Sequence, residues 1–168
     1  MSLHESFLLL GSNMGDRSFY LREAKRHIAE EAGTIQQTTG IYETAPWGVE
    51  TQPSFLNQVL VLKTGLSPEI LMHTLLAIEN KMGRIRDEKM GPRTIDIDIL
   101  FYDEIVYDSP TLSIPHPRLH MRRFVLLPLS EINALKNHPR LKQSVGQLLS
   151  ACQDPLSVQK IDSVIHNS

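Results

Sequence analysis

The chain has 168 residues and a mass of 19.0 kDa, the size of one domain spanning 1–168 and enough to close a single core. Apolar residues make up 41% and charged residues 21%, with no low-complexity run and no repeat of fixed period, which excludes disordered, fibrous and solenoid classes. A net charge of -2 and a pI near 6.4 give no basic field for nucleic acid, so the expected partner is a small ligand.

No segment approaches the roughly 20 apolar residues that cross a bilayer. The start MSLHESFLLLGSN lacks a cationic flank and carries only FLLL as an apolar run. Cys152 is the single cysteine, with no Cys or His at zinc spacing, so it reads as an incidental thiol in a reducing compartment. The expectation is a cytoplasmic protein with no membrane partner, taken as a monomer.

SFLLLGSN reads as a first strand ending in a turn. Asp16 then caps a helix with the stripe Leu21, Ala24, Ile28 and Ala32, stopped by Gly33. TIQQTTGIYET is β-rich and runs into the breaker APWG, and FLNQVLVLKT is a strand able to pair beside it. Ser67 and Pro68 open a second helix with the stripe Leu71, Leu75, Ile78 and Met82, stopped by Gly83. After the loop GRIRDEKMGPR come the strand TIDIDILFY, a short segment IVYD and a Pro-rich bend, SPTLSIPHPR. FVLLPLSEI and VGQLLSAC read as helices, with Pro128 placed in a first turn or at a kink. The order βαββαβ with a C-terminal helical annex predicts an α/β (α+β), ferredoxin-like sheet with helices on one or both faces.

Chemistry concentrates in three places. In TIDIDILFY the side chains alternate, so Asp96 and Asp98 share one face while Ile95, Ile97 and Ile99 share the other. Adjacent carboxylates repel and call for a cation, although a solvated edge strand alternates in the same way. The segment Gly83–Arg93 sets Arg84, Arg86, Lys89 and Arg93 directly before this pair. A solvated loop has that composition, and so does a lid over polyphosphate held with Mg²⁺. HPRLHMRRF packs His116, Arg118, His120, Arg122 and Arg123 into nine residues. His116 and His120 stand four apart, as zinc ligands on a helix do, but Pro115 and Pro117 disfavour a helix there, and a cationic wall of an anion site fits better. Gly11 and Gly15 are read as turn glycines, and neither G-x-G-x-x-G nor a P-loop occurs.

The motifs LGSNMGD, YETAPWG, QPSFLNQV, AIENKMGRIR, KMGPRTIDIDIL and IPHPRLHMRRFVLLPL, in unbroken order over roughly residues 6 to 132, resemble the 6-hydroxymethyl-7,8-dihydropterin pyrophosphokinase family of folate biosynthesis. The resemblance implies transfer of the β,γ-diphosphate of ATP to the pterin hydroxymethyl group, with release of AMP. It makes Asp96 and Asp98 the ligands of two Mg²⁺ ions that arrive with ATP. By the same resemblance Arg84 and Arg93 act on the phosphates, and Arg86, Ile99, His116 and Arg122 complete the nucleotide site. The pterin is assigned to Thr44, Ala45, Trp47, Phe55, Asn57, Glu79 and Phe124, with the two phenylalanines sandwiching the ring. Met90, Asp87 and Thr111 depart from the family pattern, the first two in the lid and the third near the nucleotide. The competing class is a ferredoxin-like regulatory domain that binds nucleotide or metal without turnover; a metal-dependent nuclease would need a basic surface that is missing here.

Overall fold

The computed structural model describes residues 2–44, 54–83 and 94–161. Strand β1 (His4–Ser12) is apolar on both faces because it runs through the middle of the sheet. It pairs antiparallel with β4 (Phe55–Thr64) on one side and β5 (Asp96–Tyr102) on the other. Strands β2 (Thr34–Thr38) and β3 (Ile41–Thr44) take successive stretches of the far edge of β4. Helix α1 (Arg17–Glu31) joins β1 to β2, and α2 (Pro68–Lys81) joins β4 to β5, which gives the order βαβββαβ, the expected βαββαβ with its second strand broken into β2 and β3, and the sheet path β5-β1-β4-β3.

The caps agree with the sequence reading: Asp16 accepts the N–H of Phe19 at 3.1 Å, and Ser67 accepts that of Ile70 at 3.4 Å. Gly83, at φ 85°, supplies the left-handed residue that ends α2. Leu21, Ala24 and Ile28 of α1 and Leu71, Leu75 and Ile78 of α2 bury against Leu8, Leu10, Leu60 and Leu62 on one face of the sheet. Each such leucine stabilises the fold by about 1.5–3 kcal/mol.

The annex lies on the other face. Helices α3 (Arg123–Asn133) and α4 (Val145–Ala151) press Val125, Leu126, Leu129, Val145 and Leu148 onto Phe7, Leu9, Val59 and Val61. Pro128 sits in the second turn of α3 rather than the first, where it takes from the Phe124 carbonyl its i+4 donor. Ser144 and Gln147 form a reciprocal capping box that starts α4. The short pair β6 (Tyr107–Asp108) and β7 (Ser113–Ile114) forms the Pro-rich bend. Beyond the annex, β8 (Val158–Ile161) adds to the outer edge of β3. The sequence reading has no strand there, because V-Q-K-I is too short and polar to show a period.

Two buried polar groups secure the annex. The Lys136 ammonium stands 4.9 Å and 4.7 Å from the ring centroids of Phe7 and Phe101 and 3.2 Å from the Glu104 carboxylate. The His138 ring is buried, and its Nδ1 accepts the N–H groups of Arg140 (3.2 Å) and Leu141 (3.0 Å), which leaves the proton on Nε2. Burial, reinforced by His120 and Arg140, pushes its pKa down to about 4.

An unfolded histidine titrates near 6.5, so below that value the unfolded chain takes a proton that folded His138 refuses. Its contribution is full above about pH 6.5 and is lost as pH falls toward about 4. Urea denaturation across that window is expected to show a shallower loss of stability in His138→Asn, whose amide oxygen keeps an acceptor. Parallel curves for parent and variant would contradict this.

Candidate active site

Strand β5 divides its residues as the sequence requires. Ile95, Ile97 and Ile99 are buried in the core beneath α1 and α2, and Asp96 and Asp98 are half-buried on the annex face. Residues two apart on a strand lie about 7 Å apart.

The register then sets what stands beside them. Asp96 pairs with Gly11, and Gly11 with Asn57; Asp98 pairs with Leu9, and Leu9 with Val59. Paired residues present their side chains on the same face, so a carboxylate and an amide flank a position with no side chain. They are separated by two strand spacings, roughly 10 Å. A Cβ on Gly11 would lie 2.9 Å from Asn57 Oδ1 and 3.7 Å from Phe55 Cδ1. Gly11 is therefore needed for space between the strands, and the turn role given to it above is corrected. A glycine inside an apolar strand was the available signal.

Asn57 is buried, and its Nδ2 donates to Thr44 Oγ1 at 3.4 Å. Phe55, half-buried, pairs in register with Thr44. Arg17, at the start of α1, donates from Nη1 to the Ser54 carbonyl (2.9 Å), to Ser54 Oγ (3.0 Å) and to Glu43 (3.2 Å), while Ser54 Oγ donates to Glu43 at 2.6 Å. This knot fixes the residues on either side of 45–53. Its members lie far apart in sequence and carried no local signal.

The opposite wall is the bend before α3. The His116 N–H donates to the Leu100 carbonyl at 3.0 Å, which seats the bend on β5. Its Nδ1 accepts the Arg118 N–H at 3.1 Å, so the ring proton is on Nε2. Burial lowers its pKa to about 4, Arg122 and Arg118 push the same way, and Asp96 opposes them. His116 is accordingly a neutral hydrogen-bond donor at pH 7. Burial also lowers the pKa of the Arg122 guanidinium, with Asp98 and Asp96 opposing. The Arg122 Cζ stands 5.5 Å from the Phe124 ring centroid, so a side chain that feels the charge of the acidic pair also borders the aromatic wall.

Glu79 is buried on α2, and its Oε2 accepts the Ile97 N–H at 2.6 Å, between the two aspartates along β5. Ile99 is core-facing, so only its backbone is available to a ligand. Thr111 lies in the turn between β6 and β7, where its hydroxyl donates to Glu69 at 3.0 Å. Ala45, Trp47, Arg84, Arg86 and Arg93, with Asp87 and Met90, lie outside the described residues. His120 is in a single 3₁₀ turn (Leu119–Met121) with its ring 6.3 Å from that of His138, while His116 Nδ1 is engaged by backbone, which disfavours the zinc reading. Among the described residues a group of three metal-ligating side chains occurs at His27, Glu30 and Glu31 on α1, where Arg26 and Lys81 pair with the carboxylates.

Comparison with known proteins gives a consistent result. Residues 7–134 match the family model of 7,8-dihydro-6-hydroxymethylpterin-pyrophosphokinase (HPPK). The chain is 44% identical over 128 residues to a 2-amino-4-hydroxy-6-hydroxymethyldihydropteridine pyrophosphokinase of Bacillus subtilis, covering 76% of this chain and 77% of that protein. It is 38% identical over 148 residues to a folic acid synthesis protein of Pneumocystis carinii, covering 88% of this chain and 20% of that larger protein. A crystal structure of wild-type HPPK-DHPS from Plasmodium falciparum with pteroate superposes with a TM-score of 0.72 at 19% identity, over 89% of this chain and 42% of that one, and supports the fold.

Gly11→Ala tests the floor between the two strands. Alanine fits a strand, so the variant is expected to fold, while the new methyl displaces the Asn57 amide. If that amide serves a ligand, the loss of one buried hydrogen bond should weaken binding of the pterin that the relatives are named for by about tenfold to hundredfold. Parental affinity in the folded variant would show that the Gly11 gap has no part in the site.

Proposed function

The chain belongs to the 7,8-dihydro-6-hydroxymethylpterin-pyrophosphokinase family, and we propose that it transfers the β,γ-diphosphate of ATP to the hydroxymethyl group of 6-hydroxymethyl-7,8-dihydropterin, releasing AMP, as a step of folate synthesis. The observation that carries this reading is the row Asp96, Gly11, Asn57: an acidic pair and a buried amide on one face of the sheet, with an open position between them.

The pterin is proposed to lie at the β3–β4 end. The Asn57 amide can donate and accept at once, which suits the mixed edge of an aminopyrimidine. The backbone at Thr44, Ala45 and Trp47 reads the rest of that edge, and the rings of Phe55 and Phe124 take the two faces. Glu79 acts on this pocket from the outer side of β5, by fixing the strand on which Asp96 and Asp98 stand.

The nucleotide is proposed to lie over β5. His116 donates from Nε2 to a phosphate oxygen without adding charge, and Arg122 supplies charge from the same wall. Arg84, Arg86 and Arg93 are assigned to the phosphates from the lid side, and Ile99 offers its backbone to the base. Two hard carboxylate donors, half-buried on one face, suit Mg²⁺, so Asp96 and Asp98 would hold two ions arriving with ATP. When bound, the ions supply Lewis-acid stabilisation of charge on the phosphate oxygens.

Transfer is a single displacement. The pterin hydroxyl oxygen bonds to the β-phosphorus and gives up its proton to solvent, the bond from that phosphorus to the α,β-bridging oxygen breaks, and AMP leaves with the electron pair. The protein's part is alignment and charge, with no covalent intermediate on a side chain. No helix among the described residues is long and apolar enough to cross a membrane. The proposal includes a single-domain cytoplasmic monomer that uses neither nucleic acid nor a membrane as partner.

Incubation with ATP, Mg²⁺ and the reduced pterin is expected to yield AMP only when the pterin is present. A binding module without turnover would give saturable ATP binding and no AMP. Asp96→Asn and Asp98→Asn should each fold and lose at least about a hundredfold in turnover, since several kcal/mol of charge stabilisation disappears. Near-parental turnover in either variant would remove the metal-binding assignment.

A further inference from the structure

Residues beyond 134 lie outside the family match, yet the segment Cys152–Ile161 touches both walls of the site. Helix α3 has no side-chain cap of its own at Arg122. Instead Asp154 Oδ2 accepts the Arg123 N–H at 3.0 Å, so a carboxylate from a distant part of the chain occupies the positive end of the helix. The Arg123 guanidinium returns the contact, with Nη2 donating to the Cys152 carbonyl at 2.9 Å and Nη1 donating to the Asp154 carbonyl. Arg123 stands between Arg122 and Phe124, the two residues of this wall assigned to nucleotide and pterin.

The segment then crosses to the other wall. In β8, Val158, Gln159, Lys160 and Ile161 pair with Thr44, Glu43, Tyr42 and Ile41 of β3. The junction is tied to α3 through Glu131, whose carboxylate accepts from Tyr42 Oη at 2.6 Å and from the Gly40 N–H at 3.1 Å, and pairs with Lys160 at 3.1 Å. Strand β3 ends at Thr44, which contacts Asn57 and pairs with Phe55.

We propose that Cys152–Ile161 is a positioning clasp that fixes the start of α3, bearing Phe124, against the β3 end, bearing Thr44 beside Phe55, and so sets the width of the pterin slot. The proposal rests on the pyrophosphokinase reading for the identity of the ligand, while the mechanical link does not. A flat ring held between two aromatic faces needs a fixed gap, and these two faces come from elements joined here by one segment. The nucleotide's acidic ligands stand on β5, at the other side of the sheet from β8. Loss of the β8 pairing should therefore act on the pterin far more than on the nucleotide, whereas loss of the Asp154 cap, next to Arg122, should reach both.

The test uses the full chain and two independent variants. Val158→Pro/Gln159→Pro places proline at adjacent amides, one of which must face β3, and Asp154→Ala removes the cap of α3. In the double variant, amide exchange at Tyr42–Thr44 is expected to quicken. Each variant should weaken pterin binding by about tenfold, measured with Mg²⁺ and a non-hydrolysable ATP analogue, while in the double variant binding of the analogue alone stays within about twofold. Asp154→Asn, which keeps an acceptor, should recover most of the loss. Unchanged pterin affinity in the double variant with quickened exchange would overturn the clasp, and so would equal weakening of both ligands in that variant, the mark of general destabilisation. Absence of AMP formation by the parent would instead overturn the functional reading, and quickened exchange would still support the link between β8 and β3.

Discussion

Two carboxylates two residues apart on one strand face are the constraint around which the site is organised. At about 7 Å their repulsion is about 0.6 kcal/mol in water and about 2 kcal/mol at the effective dielectric of a partly buried site. Asp96 and Asp98 are half-buried, so the larger figure applies, and the neighbouring groups respond to it. Arg122 faces the pair as a cation that burial disfavours and the aspartates favour. His116 goes the other way: desolvation outweighs the attraction of Asp96, and the ring stays neutral. The wall thus offers the pair a charge and a hydrogen-bond donor, and room for cations brought by a ligand.

Sheet geometry extends this local problem into a reaction site. Because β1 lies between β5 and β4, the acidic face is carried two strand spacings sideways to Asn57, across a strand that has no side chain at the crossing. The arrangement depends on packing in two directions. Leucines of β1 and β4 hold α1 and α2 beneath the sheet, and the annex covers Phe7, Leu9, Val59, Val61 and Phe101 on the upper face. Past Leu9 and Val59 the same strands turn to Gly11 and Asn57, where the proposed ligand site begins.

Much of this was legible in the chain itself. The alternation in TIDIDILFY fixed which face carries the aspartates, and the caps at Asp16 and Ser67 placed both helices, since each of these signals is local. Gly11 was misread because a glycine near a strand end looks the same whether it serves a turn or a gap, and only the register with Asn57 separates the two. The Glu79 carboxylate accepts the Ile97 N–H of β5, a contact between elements that no spacing encodes, and its assignment to the pterin rests on the family resemblance. The Arg17 knot, the Lys136 sandwich and β8 were missed for the same reason: each joins residues that tertiary packing alone brings together.

The central claim is that the acidic pair and the Asn57 pocket serve one reaction across Gly11. It is tested most directly by distance. With Mn²⁺ replacing Mg²⁺ beside a non-hydrolysable ATP analogue, the hydroxymethyl protons of bound pterin should relax much faster than in the Mg²⁺ sample, because two strand spacings put the sites within roughly 10 Å of each other. Equal relaxation rates with Mn²⁺ and Mg²⁺, in a sample where pterin is shown to be bound, would contradict the account.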